Sequence, residues 1–71
     1  MRVGIIGTGA IAGKHAQAYK NIGYQLTACT DRTAERGRMF ADAWGAEFAA
    51  TPEELARRAD VDFLDVCTFP G

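Results

Sequence analysis

Four short apolar runs alternate with three segments of helical periodicity, and this alternation is what most restricts the fold. Arg2 to Ile6 reads as a strand apolar on both faces, closed by Gly7 to Gly9. Ala10 to Ile22 carries Ile11, His15, Ala18, Tyr19 and Ile22 at helical spacing, and Gly23 supplies the stop. Gln25 to Thr30 is a second strand, ended by the stretch Thr30-Asp31-Arg32-Thr33. Thr33 then caps a helix to Trp44, striped by Gly37, Phe40, Ala41 and Trp44, with Gly45 in the left-handed conformation that ends helices. Glu47 to Ala49 is a brief third strand. Thr51, Pro52 and Glu54 form a capping-box start to a short helix ending near Asp60. Val61 to Thr68 is the fourth strand, and Pro70 and Gly71 close the chain.

A β-α-β-α-β-α-β order at this spacing implies an α/β fold. The sheet is parallel and four-stranded with right-handed crossovers, half of a Rossmann-type doubly wound domain in strand order 3-2-1-4. Strand 4 is then left as an apolar edge, which calls for cover by a missing C-terminal half or by a second copy. A chain of 71 residues buries only about 60% of its unfolded surface, so its core is small.

Composition narrows the classes further. With a net charge of -1 and basic residues interspersed with acids, the chain has no nucleic-acid footprint. No apolar run approaches the roughly 20 residues of a membrane helix, and the N-terminus lacks a signal-peptide layout. A cytoplasmic location is the expectation, with neither membrane nor nucleic acid as partner. Cys29 and Cys67 make no metal spacing, and with one strand between them they lie too far apart for a disulfide, so free thiols are expected.

The break after strand 1, Gly7-Thr8-Gly9-Ala10-Ile11-Ala12, is a G-x-G-x-x-A turn. In dinucleotide binding Gly7 permits the tight turn, Gly9 lets a pyrophosphate approach the backbone, and Ala12 keeps the helix close to the sheet. The helix N-terminus then faces the anion. Asp31 lies 19 residues beyond Ala12, close to the spacing of about 20 for the carboxylate that takes the adenosine ribose hydroxyls. Asp31 also suits a helix cap, and the two uses are compatible. Arg32 can stack on adenine, pair with a 2′-phosphate, or lie solvated. The carboxylate of Asp31 tilts the cofactor toward NAD, with NADP possible.

Other patterns lead elsewhere. No G-K-[ST] follows the glycines, so the turn is not a P-loop. His15 is expected to pack or hydrogen-bond rather than catalyse, since no nucleophile or carboxylate accompanies it in the sequence. Asp60, Asp62 and Asp65 read as solvated or capping, with Asp62 and Asp65 on opposite strand faces. Phe40 and Trp44 read as core. No catalytic residue and no metal site is expected.

The segments "VGIIGTGAIAGKHAQAY", "ACTDRTAERGRMFA", "ATPEELA" and "VDFLDVCTFPG" together resemble the N-terminus of the glucose-fructose oxidoreductase, inositol 2-dehydrogenase and rhizopine-catabolism family (Gfo/Idh/MocA). The resemblance implies that Gly7, Thr8, Gly9, Ala10, Ile11 and Ala12 hold the pyrophosphate. It likewise implies Asp31 on the ribose, Arg32 beside the adenine, and Thr68, Phe69 and Pro70 as the loop lining the cofactor. Phe69 intervenes here where proline usually follows threonine directly. The family's catalytic lysine, in a Glu-Lys-Pro segment further along, and its substrate domain are absent, and Lys14 and Lys20 do not replace that lysine.

Residues 1–71 are therefore expected to be the N-terminal portion of an NAD(P)-binding Rossmann domain. The parent would be an oxidoreductase moving hydride between nicotinamide and a sugar- or polyol-like carbon. The alternative is a non-catalytic nucleotide-binding or self-assembling half-Rossmann module pairing through strand 4. An FAD or other nucleotide binder on the same turn ranks below both.

Overall fold

The structure is a computed structural model and describes residues 1–68. Its elements are β1 (Arg2–Ile6), α1 (Ala10–Asn21), β2 (Gln25–Thr30), α2 (Ala34–Trp44), β3 (Glu47–Phe48), α3 (Pro52–Ala56) and β4 (Phe63–Val66). The sheet is parallel throughout, in the order β3-β2-β1-β4, as the alternation requires.

Two clusters of buried side chains sandwich the sheet. On one face Ile5, Cys29 and Cys67 meet Ala12 and Ala16 of α1 and Ala41 of α2. On the other, Ala28 and Ala49 meet Leu55 of α3, with Ile6 and Val61 at the margin. Small residues at the helix–sheet contacts bring the backbones close. A Cβ on Gly37 would run into the Phe48 ring and stand 3.2 Å from the Asp31 Cβ, so only glycine lets α2 lie this near β2 and β3. Phe40 and Trp44 are half-buried and pack against the first cluster rather than inside it.

Several expectations shift. The face of α1 that meets the sheet is Ala12, Ala16 and Tyr19, whereas Ile11, Ala18 and Ile22 are exposed. The helix must sit close to the sheet, and alanine permits that where isoleucine would not. Strand 4 is shorter than Val61 to Thr68, because Asp62 is drawn into a bidentate pair with Arg2 (Nε–Oδ2 3.3 Å, Nη2–Oδ1 3.1 Å) ahead of the ladder. Helix α3 stops at Ala56, and Arg58 instead ties the following turn to Asp60 (2.8 Å) and to Glu47 of β3. Its capping box is present but displaced: Thr51 Oγ1 accepts from the Glu54 N–H (3.1 Å), while Glu54 receives the N–H of Ala50 (3.2 Å) rather than of the cap.

Candidate functional site

Three chain segments converge at the C-terminal ends of β1, β2 and β4. Gly7 leaves β1 at φ +92°, and a Cβ there would stand 2.7 Å from Thr68 Cγ2 and 3.2 Å from the Cys67 carbonyl carbon. Both the left-handed backbone and the approach of the post-β4 loop therefore demand glycine. Gly9 presents the opposite case. Its φ of -75° suits any residue, and among the described residues a Cβ at this position meets nothing within 4 Å. Neither conformation nor packing explains this glycine, while an occupant of the space in front of it would.

That space is a cleft of about 640 Å³ lined by Ile6 to Gly9, Thr30 to Arg32, Arg36, Ala50, Pro52, Cys67 and Thr68. Helix α1 opens onto it with no side-chain cap and no acidic residue in its first turn. Its unsatisfied N–H groups and positive dipole end favour an anion there. The Thr30 hydroxyl, in the cleft wall, is buried without a partner among the described residues. This donor set suits a dinucleotide pyrophosphate.

Asp31 forms the wall beside the turn, and its side chain is 1% exposed. Oδ2 accepts from the Thr8 N–H and hydroxyl (both 2.7 Å), and Oδ1 accepts from the Thr33 N–H (2.8 Å). The Arg36 guanidinium grips both oxygens at 3.2 and 3.1 Å. Burial alone would raise the carboxyl pKa, but Arg36 and the donors of Thr33 and Thr8 hold it well below the usual carboxylate range. Asp31 also takes over the capping expected of Thr33, whose own side chain caps nothing.

Of the sequence-derived site residues, Gly7, Thr8, Gly9, Asp31, Arg32 and Thr68 line one cleft. Ala10 and Ile11 start α1 as exposed residues, and Ala12 is buried beneath its first turn. Phe69 and Pro70 lie outside the described residues. Sequence reasoning missed Arg36. The signal was available, because a long side chain in the first turn of a helix points back toward the preceding strand end, where Asp31 stands.

His15 hydrogen-bonds, as expected, but not without a carboxylate beside it. The fold brings it a carboxylate from 50 residues away: Nδ1 lies 2.6 Å from Asp65 Oδ2. The same oxygen accepts from the Tyr19 hydroxyl at 2.7 Å, and Cys67 Sγ lies 3.4 Å from His15 Nδ1. Asp65 is therefore no solvated residue, as its side chain is 15% exposed. Burial would raise its pKa, yet Tyr19 and His15 lower it, while the Tyr19 phenol is pushed up to about 12, chiefly by its bond to Asp65. Both cysteines are free and buried, as expected.

The chain belongs to the Gfo/Idh/MocA group. Residues 1–71 match the family described as "Oxidoreductase family, NAD-binding Rossmann fold". A curated relative is the 4-carboxy-2-hydroxymuconate-6-semialdehyde dehydrogenase of Sphingobium sp. (strain NBRC 103272 / SYK-6). It is 36% identical over 70 residues, which cover 96% of this chain and 22% of that protein. Among solved structures, the myo-inositol dehydrogenase of Lactobacillus casei, in complex with NAD(H) and myo-inositol, superposes with a TM-score of 0.88. It is 27% identical over 97% of this chain and 22% of its own. KijD10, a 3-ketoreductase from Actinomadura kijaniata in complex with NADP and TDP-benzene, gives a TM-score of 0.82 at 30% identity, over 90% of this chain and 20% of its own. The chain thus spans about a fifth of these relatives. It is an NAD-binding Rossmann unit of an oxidoreductase family, and no helix among its described residues is long and apolar enough to cross a membrane.

Proposed function

We propose that residues 1–71 are the N-terminal portion of the NAD(P)-binding domain of an oxidoreductase whose substrate carries a sugar- or polyol-like hydroxyl carbon. The cofactor supplies the hydride acceptor or donor, and this chain supplies its seat. Gly7 to Ala12 hold the pyrophosphate, with the backbone N–H groups of α1 as donors. Asp31 takes the adenosine ribose, Arg32 lies beside the adenine, and Thr68 lines the far wall, while Phe69 and Pro70, outside the described residues, are assigned to the cofactor by the family resemblance alone. The observation that carries this reading is Gly9, a glycine in an ordinary conformation with open space in front of it. The polyol class is supported by the inositol dehydrogenase among the relatives.

The corner around Asp31 bears on cofactor choice. Its negative charge is paired with Arg36, whose side chain is 56% exposed, whereas Thr8 and Thr33 hold it through backbone donors. A ribose hydroxyl reaches Asp31 by displacing Arg36. The released guanidinium, with Arg32 beside it on the cleft, then offsets the repulsion a carboxylate exerts on a 2′-phosphate. NAD is favoured, and Arg36 keeps that preference small. Parallel calorimetric titrations with NADH and NADPH test this: saturable binding with modest preference for NADH is expected, and Asp31→Asn should weaken NADH at least tenfold.

A second reading rests on β4, the sheet edge, where Val66 is 62% exposed. The rest of the parent chain, or a second copy, would cover this strand. Light scattering over a concentration series separates the two, since a monomer at all concentrations excludes self-pairing.

A further inference from the structure

Bordering the cleft, which Cys67 also lines, the described residues hold one convergence of metal-binding side chains: His15 of α1, Asp65 of β4 and Cys67 just beyond it. Their ligand atoms all lie within 4.8 Å of one another. We propose that His15 Nδ1, Asp65 Oδ2 and Cys67 Sγ form a divalent transition-metal site of the zinc class that locks α1 to β4.

The geometry separates this reading from a nucleophilic triad. In such a triad the nucleophile and the carboxylate bond opposite ring nitrogens, so that the imidazole relays a proton between them. Here Asp65 and Cys67 both approach Nδ1, at 2.6 and 3.4 Å, leaving no relay. Three donors of this kind, all within 4.8 Å of one another, are instead close enough for one cation to gather. Tetrahedral zinc with nitrogen and oxygen at about 2.0 Å and sulfur at about 2.3 Å sets ligand atoms roughly 3.3–3.5 Å apart. The His15–Cys67 separation already fits, and the His15–Asp65 pair needs to open by about 0.7 Å, within reach of side-chain rotation. One nitrogen, one oxygen and one sulfur make a borderline donor set that suits zinc over magnesium or calcium.

The surroundings complete the site. The Tyr19 hydroxyl donates to the ligating oxygen of Asp65 (2.7 Å) and fixes its orientation. The Tyr19 ring packs edge-on against Phe63 of β4, 5.8 Å between centroids, which holds the helix in register with the strand. The His15 side chain is 39% exposed, so the cluster borders solvent on the side of α1. Binding replaces the proton between His15 Nδ1 and Asp65 with the metal, that proton passing to the ring's exposed Nε2 or to solvent, and the Cys67 thiol proton is released to solvent.

The test is a titration of the chelator-treated full chain with Co²⁺, followed by the near-ultraviolet thiolate-to-cobalt charge-transfer band and by displacement with Zn²⁺. One equivalent should saturate the band, with a dissociation constant for Zn²⁺ below about 1 µM. Cys67→Ser should abolish the band, and His15→Gln and Asp65→Asn should each weaken binding about a hundredfold, with far-ultraviolet circular dichroism reporting their folding. Tyr19→Phe should weaken it about tenfold. A native chain that develops no band, or that binds Zn²⁺ only above about 100 µM, overturns the proposal whatever the variants do. So does a band equally strong in folded His15→Gln and Asp65→Asn, which would reduce the site to a thiol alone.

Discussion

The end of β2 and the inner face of β4 each gather charged side chains from distant segments, but they do so by different means. At β2, Asp31 is gripped by neighbours from the adjacent turn and from the helix that follows it, and the arrangement opens onto a cleft. At β4, Asp65 is met by His15 and Tyr19 across the sheet from 50 and 46 residues away. The first site depends on spacing along the chain and the second on topology alone. A motif can be recognised where connection lengths dictate proximity, and it stays hidden where only the crossover brings residues together.

The largest expected effects lie at the glycines, where the two demands on the turn can be pulled apart. Gly9→Val projects into open space and should reduce NADH affinity at least a hundredfold, about 2.7 kcal/mol. Its thermal stability should stay within about 0.5 kcal/mol of the parent. Gly7→Ala should do the reverse in origin, destabilising the fold by about 2 kcal/mol through its positive φ and the contact with Thr68, as read by urea denaturation. If Gly9→Val instead unfolded the chain, its glycine would be structural and the comparison would collapse.

Next comes the Asp31 corner. Arg36→Gln should widen the preference for NADH over NADPH about tenfold, about 1.4 kcal/mol, in parallel titrations. The pH dependence follows from the lowered Asp31 pKa. Its contribution is complete above the ordinary carboxylate value and is lost as the pH falls below about 4 toward the folded value. Asp31→Asn should therefore lower stability most near and above neutrality and flatten the acid limb, so that the variant and parent stability-versus-pH curves converge as the pH falls below about 4.

The remaining test of the comparison is at β4. Without added metal, Tyr19→Phe removes one hydrogen bond to a carboxylate and should cost about 1.5 kcal/mol by thermal denaturation. A cost near zero would mean that His15 alone satisfies Asp65, and the two sites would then differ in strength as well as in origin.

What could be read from the sequence follows the same division. The left-handed Gly45 and the Thr51 cap were legible because each depends on residues a few positions apart, and the strand order was legible through the β-α alternation and its right-handed crossovers. The pairing of Asp31 with the glycine turn was legible through the length of one β-α-β unit. The buried face of α1 was misread, since hydrophobicity marked Ile11 and Ile22 while close packing selected Ala12 and Ala16. The environment of His15 was invisible, because nothing local couples α1 to β4.

The central claim is that the glycine break seats a pyrophosphate, and one paired measurement addresses it. NADH is titrated calorimetrically into the native chain and into Gly9→Val, with circular dichroism run on both. One-to-one saturable heat in the native chain, lost in a variant of unchanged fold, is the predicted result. Equal affinity in the two, or no binding by a natively folded parent chain, would contradict it.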